Sequence, residues 1–174
     1  VGETIVHALP RDWCATARHL LIDYMWHAFN RESPTFFTPN NLAVHAESFR
    51  EAGGFDDTIG PTGEDRELCA RWLSQGRPIA WAEDAIVTHA HPLTFLGYLR
   101  QQYAYGVGSA RYRKRIETAA NGALPQPVGF YVGVLAHPFR RERGVRAVPL
   151  SALLLAGQVC NAMGVLLESR RGES

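Results

Sequence analysis

Lysine is nearly absent from this sequence: Lys114 stands alone against seventeen arginines. Arginine grips phosphate in a forked, bidentate way where lysine offers a point charge. Pyrophosphate, lipid headgroups and nucleic acid therefore all stay open as anionic partners. A GC-rich genome would also favour arginine codons, so the bias alone selects none of them. Cysteine is scarce as well. Cys14, Cys69 and Cys160 lie far apart with no CxxC spacing, which argues against a zinc knuckle or a CxxC redox motif. Their odd number, without a signal-peptide pattern, fits a reducing compartment. There is no internal repeat, no low-complexity tract and no initiator methionine, and the opening VGETIVHAL reads like the inside of a larger protein. Apolar residues make up 46% and charged residues 20% of 174 positions. That balance excludes wholesale disorder, and the length suits one domain or a large part of one.

The charge that is present is sorted along the chain. Residues 1–97 carry 7 basic and 13 acidic side chains, net −6, whereas residues 98–146 carry 9 and 2, net +7. The later segment is expected to meet something anionic. Apolar spacing predicts the elements. Residues 2–8 read as a strand, and Pro10 and Asp12 open a helix running to about residue 29. Residues 35–44 read as extended. A short helix over 46–52 stops at Gly53-Gly54, and a helix over 63–75 is expected with Thr62 as its cap. Two short strands are expected at 78–82 and 85–91, with Glu83-Asp84 in the turn between them, then a helix over 93–105 and a loop over 119–129. Residues 149–167 are uncharged for nineteen positions, close to the length of a bilayer span. Ser151, Gln158 and Asn161 lower the hydrophobicity there, so a membrane-lying helix, a span and a core helix compete.

Residues 40–106 carry the most chemical information. Asn40-Asn41, Gly53-Gly54-Phe55-Asp56, Gly63-Glu64-Asp65, His89 and Gln101-Gln102 follow one another in an order and spacing that resemble the acceptor half of family 2 glycosyltransferases of the GT-A fold. The resemblance implies an α/β fold, namely the C-terminal portion of a nucleotide-diphospho-sugar transferase domain with a helical tail. It implies transfer of a sugar from a nucleotide-diphosphate sugar to a hydroxyl of a glycan or lipid-linked acceptor, with inversion. Asp65 would be the general base and Glu64 its supporting group. Asn40, Asn41, Arg66, Gln101 and Gln102 would line the substrate sites, and His89 would help hold Mn²⁺ or Mg²⁺. Imidazole suits Mn²⁺; His91, two residues on and so on the same strand face, is the alternative ligand.

The chemistry fits the residue types. Inverting transfer needs a base for the acceptor's proton, and Asp65 follows a glycine-rich loop at the start of a helix. An acidic residue there also stabilises the helix dipole by about 0.3–1 kcal/mol with no other purpose. Two departures from the family pattern matter. From Gln101 the chain reads QQYAY rather than Gln-x-x-Arg-Trp, which argues against a processive polysaccharide synthase. No Asp-x-Asp occurs in the sequence, so the nucleotide-binding and metal-binding front half is expected to be missing, and activity is expected only with it.

The expected organisation is the acceptor half over 1–110, a basic connecting segment over 111–146 and an apolar C-terminal helix over 147–174. The basic and apolar segments predict docking on an anionic membrane, at its cytoplasmic face. Nucleic acid is not an expected partner, since no nucleic-acid fold pattern accompanies RYRKR or RRERGVR. The rival reading is a non-catalytic, glycan- or membrane-binding remnant of a transferase.

Overall fold

The computed structural model describes residues 2–30, 34–39, 42–117, 126–142 and 144–171. Strand β1 (Gly2–His7) leads into helix α1 (Trp13–Phe29), and short helix α2 (Ala46–Glu51) and helix α3 (Glu64–Ser74) precede strand β2 (Trp81–His89). Helices α4 (Phe95–Glu117), α5 (Val128–Arg141) and α6 (Ala147–Arg171) follow. Among the described residues the α/β expectation takes the form of a mostly helical arrangement carrying one two-stranded parallel sheet.

Asp12 opens α1 as predicted: its Oδ1 accepts from the Ala15 N–H at 2.9 Å, the usual N-cap bond. Its Oδ2 accepts from the Leu93 N–H at 3.0 Å, which ties the start of α1 to the chain leaving β2. Cys14, Ala17, Leu20 and Leu21 of α1 then pack with Tyr98, Val134, Leu150 and Leu154 into one core shared with α4, α5 and α6. Asp23 fastens α5 across it, with His137 Nε2 at 2.6 Å and Arg141 Nε at 2.9 Å. The short helix α2 stops where expected, because Gly53 (φ 92°) and Gly54 (φ 67°) adopt the left-handed backbone that side-chain-bearing residues avoid.

Three expectations are corrected. First, the strands predicted at 78–82 and 85–91 are one, β2, and Glu83-Asp84 lies inside it rather than in a turn. The two steps from Gly2 to Thr4 on β1 face the five from Trp81 to Ile86 on β2. That irregularity takes up the acidic pair without breaking the strand. Second, Thr62 does not cap α3. Gly63, at φ 97°, is the N-cap residue, and Thr62 Oγ1 donates instead to the Ala104 carbonyl at 2.9 Å. Third, the helix expected to end near 105 runs on to Glu117 and absorbs the basic run at 111–115. Of the rest of the expected connector, Val128–Arg141 is helical. Most of the loop predicted over 119–129 lies outside the described residues.

Gly106 does not end α4 because α6 crosses there at backbone distance. A β-carbon at Gly106 would run into the Asn161 carbonyl, and one at Gly164 into the Tyr103 carbonyl. Gly106→Ala is therefore expected to destabilise the fold by about 1–3 kcal/mol, the range for forced overpacking. Denaturant unfolding checks this, and an unchanged midpoint would mean that the helices can move apart freely.

Candidate functional site

The loop before α3 rests directly on α4. A β-carbon at Gly108 would strike the Thr62 carbonyl, and one at Gly63 would stand 3.0 Å from the Gly108 carbonyl. This contact, with the Thr62–Ala104 bond, sets the first turn of α3 against α4. Glu64, Asp65 and Glu67 all sit in that turn.

Asp65 is half-buried, and its Oδ1 accepts from the Arg66 N–H at 2.8 Å. Burial pushes its carboxyl above the ordinary range and the neighbouring Glu64 charge adds to this, while the Arg66 N–H and guanidinium pull the other way. Glu64 Oε2 is buried and makes no hydrogen bond. Arg66 is clamped among apolar groups: its guanidinium carbon lies 5.2 Å from the Phe36 ring centroid and 5.8 Å from that of Phe29, and Nη2 is 3.7 Å from Met25 Sδ. Burial lowers its pKa, and the Asp65 charge opposes that. Tyr112 of α4 lies within electrostatic reach of both; burial raises its phenol and the Arg66 charge lowers it. A raised carboxyl, an anchored guanidinium and a phenol thus meet where α3 begins.

Of the other predicted site residues, Gln102 lies away from this group. It is 1% exposed, packed on Gly157, and its backbone carbonyl accepts from Asn161 Nδ2 at 3.2 Å. Gln101 Oε1 is buried without a hydrogen bond. Asn40 and Asn41 lie outside the described residues.

His89 ends β2 opposite His7 and forms a second cluster. Arg18 Nη1 donates toward its Nδ1 at 3.4 Å, His91 stands 5.9 Å away between ring centroids, and His7 stacks on His19 at 4.9 Å. Burial lowers His89, and the Arg18 charge adds to that. Among the described residues no three His, Cys, Asp or Glu side chains form a group able to hold a metal ion. His89 and His91 are therefore two imidazoles beside a guanidinium. These residues do not fit a metal on their own.

Burial holds the His19 imidazole down to about 4, and the His7 charge adds to this. Below its unfolded value of 6.5 the unfolded chain takes up a proton that the folded chain refuses. Stability is therefore expected to fall as pH drops from about 6.5 toward 4, and His19→Gln should flatten that slope. Thermal unfolding across this range checks it; identical slopes would remove His19 from the account.

Sequence reasoning missed Arg66's aromatic clamp, Tyr112, His7 and His19. Only the aromatics at 29, 36 and 112 left a local trace. The glycine-rich loop, the Glu64-Asp65 pair and His89 were legible. A family model described as glycosyl transferase family group 2 matches residues 11–166. No curated protein and no solved structure matches the chain.

Proposed function

This chain belongs to glycosyl transferase family group 2, and from that premise we propose that it is the acceptor-side, C-terminal portion of an inverting glycosyltransferase of GT-A type. The donor would be a nucleotide-diphosphate sugar and the acceptor a hydroxyl of a glycan or lipid-linked molecule. The observation that carries the reading is the half-buried Asp65 carboxyl in the first turn of α3, raised by burial. A base with a raised pKa accepts a proton more readily once its substrate is seated. Asp65 takes the proton from the acceptor hydroxyl as that oxygen bonds to the anomeric carbon, and the nucleoside diphosphate leaves with the bonding pair. Glu64 supports Asp65, and Arg66 and Tyr112 orient the acceptor or steady the developing charge. Asn40, Asn41 and Gln101 line the substrate sites in this reading, and Gln102, whose amide is buried against α6 without a hydrogen bond, supports them from within α4.

The nucleotide-binding part lies outside these residues in this reading. No Asp-x-Asp occurs in the sequence, and β1 and β2 form a parallel pair with Val6 44% and Ile86 62% exposed. Parallel sheets are normally covered on both faces, and two strands alone are marginal. An apolar groove of about 220 Å³, lined by residues including Leu42, Val44, Cys69 and Trp72, offers further surface for added strands to cover. The chain alone is then inactive. Mn²⁺ or Mg²⁺, if used, is held chiefly by that other part, with His89 adding at most one donor. The acceptor half over 1–110, the basic segment over 111–146 and the helical tail over 147–174 remain the proposed division. The tail keeps the enzyme peripheral at the cytoplasmic membrane face. The test is sugar transfer by the enzyme with its nucleotide-binding part present, comparing wild type with Asp65→Asn; undiminished turnover in the variant overturns the reading.

A further inference from the structure

For a helix at the surface of a water-soluble domain, α6 is unusual in being apolar on both faces, with Leu150 and Leu154 in the core. Such helices normally turn polar residues to solvent and apolar ones to the core. Here Val148, Leu155, Val159, Met163 and Leu166 recur at helical spacing and are each 51–61% exposed, so one continuous outward stripe is apolar. No charge falls between residues 147 and 167. Polar side chains of α6 bond inward instead: Ser151 Oγ donates to the Leu135 carbonyl at 2.8 Å and Asn161 Nδ2 to the Gln102 carbonyl at 3.2 Å. Contact with α4 runs through Gly106, Gly157 and Gly164, the small-residue packing that helices use in lipid. Neighbouring α5 adds Val128, Val132 and Phe139, exposed by 78%, 60% and 59%.

The mean hydropathy of 1.8 over the most apolar part of Gly144–Arg171 would by itself permit a span. The packing argues otherwise. Along its inner face α6 carries α4, whose polar groups include Arg100 and Gln102, and Arg111 Nε binds Glu168 Oε1 at 2.7 Å. Arg111 Nη1 also donates to the Ile59 carbonyl at 3.3 Å, which holds the α3 loop to the same unit. The Arg111–Glu168 pair lies at the end of α6, but Arg100 is level with its middle beside Gly157, and a perpendicular α6 would drag that charge into hydrocarbon, where it is strongly disfavoured.

We infer that α6 lies in the plane of an anionic bilayer surface, its stripe sunk at the acyl boundary and its length parallel to the membrane. The stripe from Val148 to Leu166 is about 27 Å long at 1.5 Å per residue. The charge around it is net basic: Arg141 pairs with Asp23, Arg146 with Glu142 and Arg171 with Glu168, and Arg140 before the helix and Arg170 at its end add the excess that complements anionic headgroups. This inference rests on the membrane association proposed above and not on the role of Asp65.

The test uses the full chain with vesicles of phosphatidylcholine, alone or mixed in equal parts with phosphatidylglycerol. Binding to the mixed vesicles is expected to be at least about tenfold tighter and to weaken with salt. Leu155→Glu with Val159→Asp should lower binding at least about tenfold without moving the unfolding midpoint, because both side chains are exposed. Nitroxide labels on Val148→Cys, Val159→Cys or Leu166→Cys, each in a Cys160→Ser background, should report one shared shallow depth. Absence of vesicle binding by the wild type overturns both the association and the in-plane inference. Binding with a deep label at 159 and shallow labels at 148 and 166 overturns the in-plane inference alone. A wild-type dimer that Val159→Asp dissociates, with no vesicle binding, assigns the stripe to a second copy and overturns both.

Discussion

Asp65→Asn is expected to lower sugar transfer by about 10²–10⁴-fold, the usual worth of a positioned general base, while leaving the fold as stable as before or more so. The two signs separate catalysis from structure. Asp65 is half-buried, and burial together with Glu64 raises its pKa. A carboxyl raised in the folded state costs stability once pH rises through its folded pKa, because the charged form is then held where it is disfavoured. Asparagine keeps the shape and removes that cost. Were Asp65 only a dipole-stabilising residue, the same change would lose about 0.3–1 kcal/mol of stability and leave transfer intact. Transfer rates and thermal unfolding of the one variant decide between them. The pH profile of transfer should agree, with its acid limb falling above the ordinary aspartate range.

The largest expected loss of stability comes from Glu67→Ala. Glu67 is only 6% exposed, and Arg71 donates to its two carboxylate oxygens at 2.7 and 2.8 Å. The same guanidinium donates to the Gly54 carbonyl at 2.6 Å and to the Ala52 carbonyl. One fork thus joins α3 to the Gly53-Gly54 turn that ends α2. Removing the carboxylate takes the bonded counter-charge from Arg71 at a partly buried position and leaves only the weaker Asp56 charge. The expected cost is about 3 kcal/mol, the low end for a broken buried pair because Arg71 keeps some contact with water. Arg71→Lys should recover little, since an ammonium cannot reproduce the fork. Denaturant unfolding checks both variants; a loss below about 1 kcal/mol would place the pair with ordinary surface ion pairs.

Signals that act within a few residues were legible. Asp12 caps α1 through Ala15, three residues away, and Gly53-Gly54 ends α2 because glycine takes positive φ without a side-chain clash. The Glu64-Asp65 pair after a glycine loop pointed to the start of α3, where it lies. The uncharged run near the C-terminus read correctly as one helix.

Contacts between distant segments were not legible. A turn at Glu83-Asp84 is a sound local expectation, yet β1 pairs along β2 from 82 positions away at His7 and His89, and the ladder carries the acidic pair within a strand. Thr62 is a good N-cap residue by type, but the Ala104 carbonyl, 42 positions on, takes its hydroxyl. Gly106 looks like a helix end until α6 needs its missing side chain for close approach. The same approach buries Gln102, and Arg66 finds its aromatic clamp only when α1 and the chain after it fold beside α3. Family, charge pattern, most helix starts and the acidic pair could be read along the chain, because each depends on residue type and near-neighbour spacing. Where the strands join, how deeply Gln102 is buried, what surrounds Asp65 and which face of α6 is left uncovered emerged only from the folded arrangement. Those depend on which distant surfaces meet, and chain spacing does not encode that meeting.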